Sequence, residues 1–390
     1  MYPHQAERLT AALQRGGLDA LVAVSPANVA YVTGFWSLAG AVDPATEIYA
    51  VVAPGGTALI VPALEALAVS EGDAQADHVV CHGRFPYTVP EPAGERARRL
   101  RAIAGEPAAS GADALAAGLG AVGVRSGRIG LDDASLPTGR AAALRERLAD
   151  STLVSASESF AAARLVKSPY EIERLQHVLH VTEQAIDRVL GLLRPGVTEQ
   201  EAATAFGHEA ARLGAAPYRT IVAFGAGSAI PAPWPTDRAL RLGDLVRFDC
   251  GCVARGYRSS VARMAVMGEP APRQQAVFDA VHAGTEAALD AIRPGVGGSQ
   301  VLDPAVAAVG KAGLAGYERH HAGHGIGLEP VEAPWLAPGG ATLEAGMVLC
   351  ATVACHVVGD AGFTLTETAL VTRSGSHALN RSHRGLIVLD

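Results

Sequence analysis

The pattern Arg-Pro-Gly-Val occurs twice in this 390-residue chain, at Arg194–Val197 and at Arg293–Val296, each time closing a stretch with helical spacing. Proline followed by glycine stops a helix, because proline lacks the backbone donor and glycine reaches the left-handed conformation without a steric cost. The first of these helices is also marked at its start. Ser168 is a candidate N-cap, Pro169 stands at the first helical position and Glu171 lies in the acidic first turn. The helix is predicted to run on to about Leu193. Two helix-and-stop units about a hundred residues apart predict an internal pseudo-duplication in the second half of the chain.

The first 157 residues carry a different pattern. Helical periodicity across His4–Arg15 ends at Gly16-Gly17, and Ala20–Val24, Ile48–Val52 and Ala58–Val61 read as short buried strands around Pro54-Gly55-Gly56. Alternating helices and strands predict an α/β domain with a covered sheet. The expected division is therefore one domain over 1–157 and a second over 158–390. The glycine-rich stretch Gly118–Gly130 lacks the GxGxxG spacing of a phosphate loop.

Composition narrows the partners. Hydrophobic residues at 49% and charged residues at 18% suit folded cores. A net charge of -7 speaks against nucleic acid, whose phosphates call for clustered Lys and Arg. No apolar run approaches the roughly 18 residues of a membrane span, and the start of the chain lacks a basic-then-apolar leader. A cytoplasmic protein with no membrane partner is the expectation. Five cysteines, an odd number, suit reduced thiols. Cys250 and Cys252 alternate away from Asp249 on a strand and read as packing residues.

Chemistry concentrates in two segments, Phe248-Asp249-Cys250-Gly251 and His320-His321-Ala322-Gly323-His324-Gly325-Ile326-Gly327-Leu328-Glu329. They resemble the DxG and GHGIGLE motifs of the creatinase, prolidase, aminopeptidase P and methionine aminopeptidase family. Asn28–Phe35 resembles the signature of that family's amino-terminal domain. The resemblance implies an α/β amino-terminal domain followed by an α+β pita-bread domain of the creatinase/aminopeptidase type. It also implies five side chains holding two divalent metals. Asp249 and His324 stand at two of those positions, but Ser260, Thr352 and Thr366 stand at the other three. Glu367 is one residue from the last position, and a one-residue shift turns a strand side chain to the opposite face, so it would reach the site only through a bulge. Hydroxyls do not offset the charge of two divalent ions. No metal and no other cofactor is expected. Ala232 and Val331 replace two further histidines of the family pattern.

The resulting expectation is a metal-independent, creatinase-like enzyme that hydrolyses a C–N bond of a small amide, amidine or amino-acid-like substrate. Asp249 would orient His324 and raise its pKa, making it a general acid/base worth about 10²–10⁴-fold in rate. His320, which matches a family site position, and His356, which has the strand parity of Thr352, complete the expected catalytic set. Arg258 is the expected anchor for a substrate carboxylate, with Tyr257, Glu332 and Trp36 also lining the pocket. One alternative is an Xaa-Pro peptidase-type hydrolase with a single metal on Asp249, His324 and a third nitrogen. Another is a pita-bread protein that binds without catalysis. The resemblance further implies a homodimer, with Phe35–Leu38 lining the neighbouring pocket, and a small molecule as the only other partner.

Overall fold

A computed structural model describes residues 3–89 and 94–390. The chain forms two compact units, Met1–Arg164 and Leu165–Asp390. The division falls after Arg164 rather than after residue 157, because the helix Ser157–Arg164 belongs to the first unit. Its Phe160 is fully buried and its Ala163 carbonyl accepts from Tyr31 Oη at 2.9 Å.

In the first unit the described residues form a six-stranded sheet: β1 (Ala20–Ala23), β2 (Tyr49–Ala53), β3 (Gly56–Pro62), β4 (His78–His82), β5 (Arg128–Leu131) and β6 (Thr152–Ser155), in the order β4-β3-β2-β1-β5-β6. β1, β5 and β6 run parallel, as do β3 and β4, while β2 is antiparallel to both neighbours. Val22, Val51, Ile60 and Ile129 pack with Leu115 in its core. The Asn28–Phe35 segment overlaps the helix Pro26–Thr33. Ser25 caps its start, Gly34 ends it at φ 74°, and Asn28 Nδ2 donates to Asp132 Oδ2 at 2.7 Å. Ser25, Asn28 and Gly34 therefore fix a helix against the end of β5.

The second unit carries β7 (Ala216–Phe224), β8 (Leu245–Ala254), β9 (Tyr257–Arg258), β10 (Val261–Met267), β11 (Gly323–Gly325), β12 (Glu332–Trp335), β13 (Val348–His356), β14 (Gly362–Val371), β15 (Ser376–Ala378) and β16 (Ile387–Leu389). Its main path runs β12-β11-β13-β14-β10-β8-β7. Helices Pro169–Leu190, Glu199–Arg212, Pro272–Ala291 and Ser299–Lys311 accompany the sheet. Ser168 and Glu171 form a reciprocal capping box at the start of the first helix.

The two Arg-Pro-Gly stops adopt the same structure. Gly196 and Gly295 have φ of 97° and 87°, and their amides donate to Leu240 O and Leu343 O, each at 2.9 Å. The return bonds, Leu240 N to Val197 O and Leu343 N to Val296 O, are both 2.8 Å. Each half then enters a strand through a left-handed glycine, Gly243 or Gly346. Asp249 and Thr352 lie equally far beyond those glycines. The duplication thus brings their two positions together. Register makes the same point: Ile221, Asp249, Ala262, Thr366 and Thr352 form one row across β7, β8, β10, β14 and β13.

Candidate functional site

Local geometry explains how each side chain reaches this row. β8 and β9 are joined by Arg255-Gly256, both at positive φ (48° and 85°), a tight hairpin that follows the twist of the strands. Past the hairpin, Ser259 turns back: its Oγ lies 2.6 Å from Thr182 Oγ1 of the first helix and accepts from Cys252 N at 3.0 Å. Ser260, next along, faces the other way. Gly251 leaves room for the neighbouring strand, since a Cβ there would fall 2.6 Å from both Tyr218 Cζ and Ser259 O. Tyr218 Oη uses that space to donate to Ser259 O at 2.7 Å.

A guanidinium sits among the five positions where the resemblance implies a metal pair. Arg219 Nη2 lies 2.7 Å from Asp249 Oδ1 and donates to Ser260 Oγ at 2.6 Å. The contact with Asp249 lies outside hydrogen-bond angles and is a charge pair. Opposite, Thr352 Oγ1 and Thr366 Oγ1 share a hydrogen bond of 3.0 Å. Arg219 and Arg258 both approach the Tyr218 ring, at 5.9 and 5.7 Å from its centroid. Among the described residues no three His, Cys, Asp or Glu side chains group closely enough to hold a metal ion. One carboxylate already paired with a cation, three hydroxyls and one imidazole do not fit two divalent ions.

His324 lies on β11, opposite Cys350. Its Nδ1 is 2.9 Å from Gly325 O; a carbonyl only accepts, so Nδ1 carries the proton and Nε2 the lone pair. Burial, together with the Arg219 charge, holds its pKa below the usual value, outweighing the Gly325 bond and Asp249. This corrects the expected role of Asp249: it pairs with Arg219, and His324 is a neutral imidazole with a lowered pKa. The Cys350 thiol beside it is pushed up to about 11 by burial and is no nucleophile at neutral pH.

The other expected site residues stand in differing surroundings. His320 is exposed and lines a groove of about 820 Å³ with Leu302, Asp303, Tyr317 and Arg319, a lining that includes neither Asp249 nor Arg219. Its neighbour His321 is the one near His324, with ring centroids 6.4 Å apart and Trp335 against both rings. Burial pushes His321 down to about 4. His356 bonds the Ala229 backbone, has a buried Nδ1 with no partner, and is held neutral by burial, Arg247 and Arg319. Arg258 donates to Leu328 O and carries no ion pair among the described residues. Tyr257 is buried and shares strand parity with Ser259, so Tyr218 is the phenol at the guanidinium cluster. Trp36 lies in the first unit, 37% exposed.

One expectation is corrected outright, and the position of Glu367 is decided. Glu332 is bound by Lys167 Nζ at 2.9 Å, with side chains 4% and 2% exposed, and is committed to the fold rather than open to a substrate. Glu367 does not reach the site: β13 and β14 pair in unbroken register, and it points to the opposite face, 2.7 Å from Arg263 Nη2. Sequence reasoning missed Arg219 and Tyr218. The available signal was an arginine on a strand next to a site that had lost its acids.

A model of metallopeptidase family M24 matches residues 173–373, and one of the creatinase/prolidase amino-terminal domain matches residues 5–166. A Bacillus subtilis protein described as an uncharacterized peptidase is 27% identical over 376 residues, 96% of each chain. An Xaa-Pro dipeptidase of Pyrococcus horikoshii is 27% identical over 258 residues, 65% of this chain and 74% of that one. The solved Xaa-Pro dipeptidase of Bacillus anthracis has the same fold, with a TM-score of 0.83 at 23% identity over 99% of both chains. Dipeptidase PepE from Mycobacterium ulcerans gives 0.79 at 25% identity, over 99% of this chain and 97% of its own.

Proposed function

From the premise that this chain belongs to metallopeptidase family M24, with a creatinase/prolidase amino-terminal domain ahead of a pita-bread domain, we propose that it is a peptidase-type hydrolase of small amide-bonded substrates in which the Arg219 guanidinium supplies the positive charge of the site. The dipeptidase descriptions of its relatives support a peptide-like substrate over the creatinase-like amidine expected from sequence. The observation that carries the reading is the position of Arg219, 2.7 Å from Asp249 and 2.6 Å from Ser260.

Hydrolysis on this site needs a base and an electrophile. His324 Nε2 takes a proton from water as the water oxygen attacks the amide carbonyl carbon. Arg219 faces the oxyanion that develops, and His324 returns the proton to the leaving nitrogen as the C–N bond breaks. Asp249 keeps Arg219 in place. A homodimer in which Phe35–Leu38 lines the partner's pocket is part of the proposal, and sedimentation of the full chain tests it.

The kinetic test is hydrolysis of Xaa-Pro dipeptides and N-acyl amino acids by the full chain, with and without a chelator. Chelator-insensitive turnover is expected, lost in His324→Gln and reduced about 10²–10³-fold in Arg219→Met. Turnover that requires added Zn²⁺, Mn²⁺ or Co²⁺ and survives Arg219→Met would instead favour a single-metal peptidase.

A further inference from the structure

The charges around Asp249 do not cancel. In the β8–β7 pairing, Arg247 lies opposite Ala223, Asp249 opposite Ile221 and Gly251 opposite Arg219, so Arg247, Asp249 and Arg219 share one face of the sheet. Arg219 neutralises Asp249. Arg247 is 1% exposed, donates only to Ile230 O (2.6 Å) and Pro231 O (3.2 Å), and has no carboxylate within ion-pair distance among the described residues. Its Nε is buried without a partner, as is Nε of Arg219. Arg258, against the same Tyr218 ring, donates to the Gly256 and Leu328 carbonyls and feels the charges of Glu329 and Glu332. The nearby Glu332 is taken by Lys167.

A buried guanidinium without a counter-ion is costly, and an anion brought near it relieves that cost. On the same face Asp249, the carboxylate that would meet a substrate ammonium, is already paired with Arg219. The lowered pKa values of His324 and His356, each depressed in part by these arginines, agree with a positive local field.

We propose that this site selects anionic, N-blocked ligands, of which N-acyl amino acids are the simplest class, over zwitterionic dipeptides. The ligand carboxylate lies in the combined field of Arg219, whose side chain is 31% exposed and whose donors face the amide oxygen, and of Arg247, which acts from beneath as a fixed buried charge. The inference rests on the reading of Arg219 as the central cation of the site but not on turnover.

The test is titration calorimetry of the full chain with N-acetyl-L-proline, glycyl-L-proline and N-acetyl-L-prolinamide, which share one ring and differ in charge. N-acetyl-L-proline is expected to bind at least about tenfold more tightly than the other two, a difference of about 1.4 kcal/mol, and to weaken as salt is raised. Arg219→Met should abolish the preference. Arg247→Lys keeps the buried charge and should keep it, which guards against Arg247→Met failing to fold. Equal affinities, tighter binding of the dipeptide, or no binding of any of the three overturns the inference. Tight N-acetyl-L-proline binding without cleavage would leave the inference standing and remove the hydrolase reading. Cleavage of the neutral amide at equal affinity would do the reverse.

Discussion

In the proposed reading, Arg219 takes the electrostatic role that the resemblance implies for a metal site. A guanidinium is permanently charged, planar and rich in donors, so it holds a carboxylate and a hydroxyl at once, as it does with Asp249 and Ser260. Glu332 makes the opposite point, since a carboxylate next to a site motif serves stability. Breaking one partner of a buried pair leaves an uncompensated charge, so Glu332→Gln is expected to destabilise the protein by about 3–5 kcal/mol. Denaturant melts of Glu332→Gln and of the double variant with Lys167→Met check this, because the double variant should recover part of the loss. A Glu332→Gln protein of unchanged stability but weakened substrate binding would contradict it. At this scale the sequence revealed hydroxyls at three of the implied ligand positions but not the guanidinium that lies among them. Asp249 and His324 were legible from motifs, while Arg219 required the strand pairing that sets it opposite Gly251.

At the scale of elements, β14 separates two chemistries by alternation. Thr366 faces the site row and Glu367 faces a cluster with Arg263, Glu183 and Arg384. Arg263 also donates to Thr366 O at 3.0 Å, and Glu183 accepts from Arg381 N and Ser382 N, so the cluster ties the carboxy-terminal segment behind the sheet. Burial, against the pull of Arg263 and Arg384 and with Glu183 adding to it, pushes Glu367 from 4.5 up to about 7. Its folded pKa is raised, so its contribution to stability is full below about 4.5 and is lost as pH rises through about 7. His321, lowered from 6.5 to about 4, has the opposite sign: its contribution is present above 6.5 and is lost as pH falls toward 4. Urea midpoints measured from pH 4.5 to 8 should show a smaller loss with rising pH in Glu367→Gln than in the parent protein. An identical slope in both would contradict the assignment. The helix caps, the Arg-Pro-Gly stops and the strand of Asp249 were readable in advance because they follow local rules. The direction of His320 was not, because a loop side chain is placed by its neighbours, here Trp335 packing against His321 and His324 instead.

For the molecule as a whole, the M24 fold was legible because its motifs occur in order on a duplicated frame, and the frame is kept by backbone turns rather than by the chemistry they once positioned. The Gly196 and Gly295 turns are geometrically equivalent although the residues they bring together, Asp249 and Thr352, differ in chemistry. A chain with a net charge of -7 nevertheless concentrates arginines on one face of its second sheet. Among the described residues no helix is long and apolar enough to cross a membrane. The central claim is that a guanidinium, not a metal pair, charges this site, and metal content tests it most directly. Full-length protein dialysed against Zn²⁺, Mn²⁺ and Co²⁺, passed through a desalting column and analysed by plasma mass spectrometry should carry only trace, non-stoichiometric metal. One or two ions retained per chain, and lost on Asp249→Ala, would contradict it.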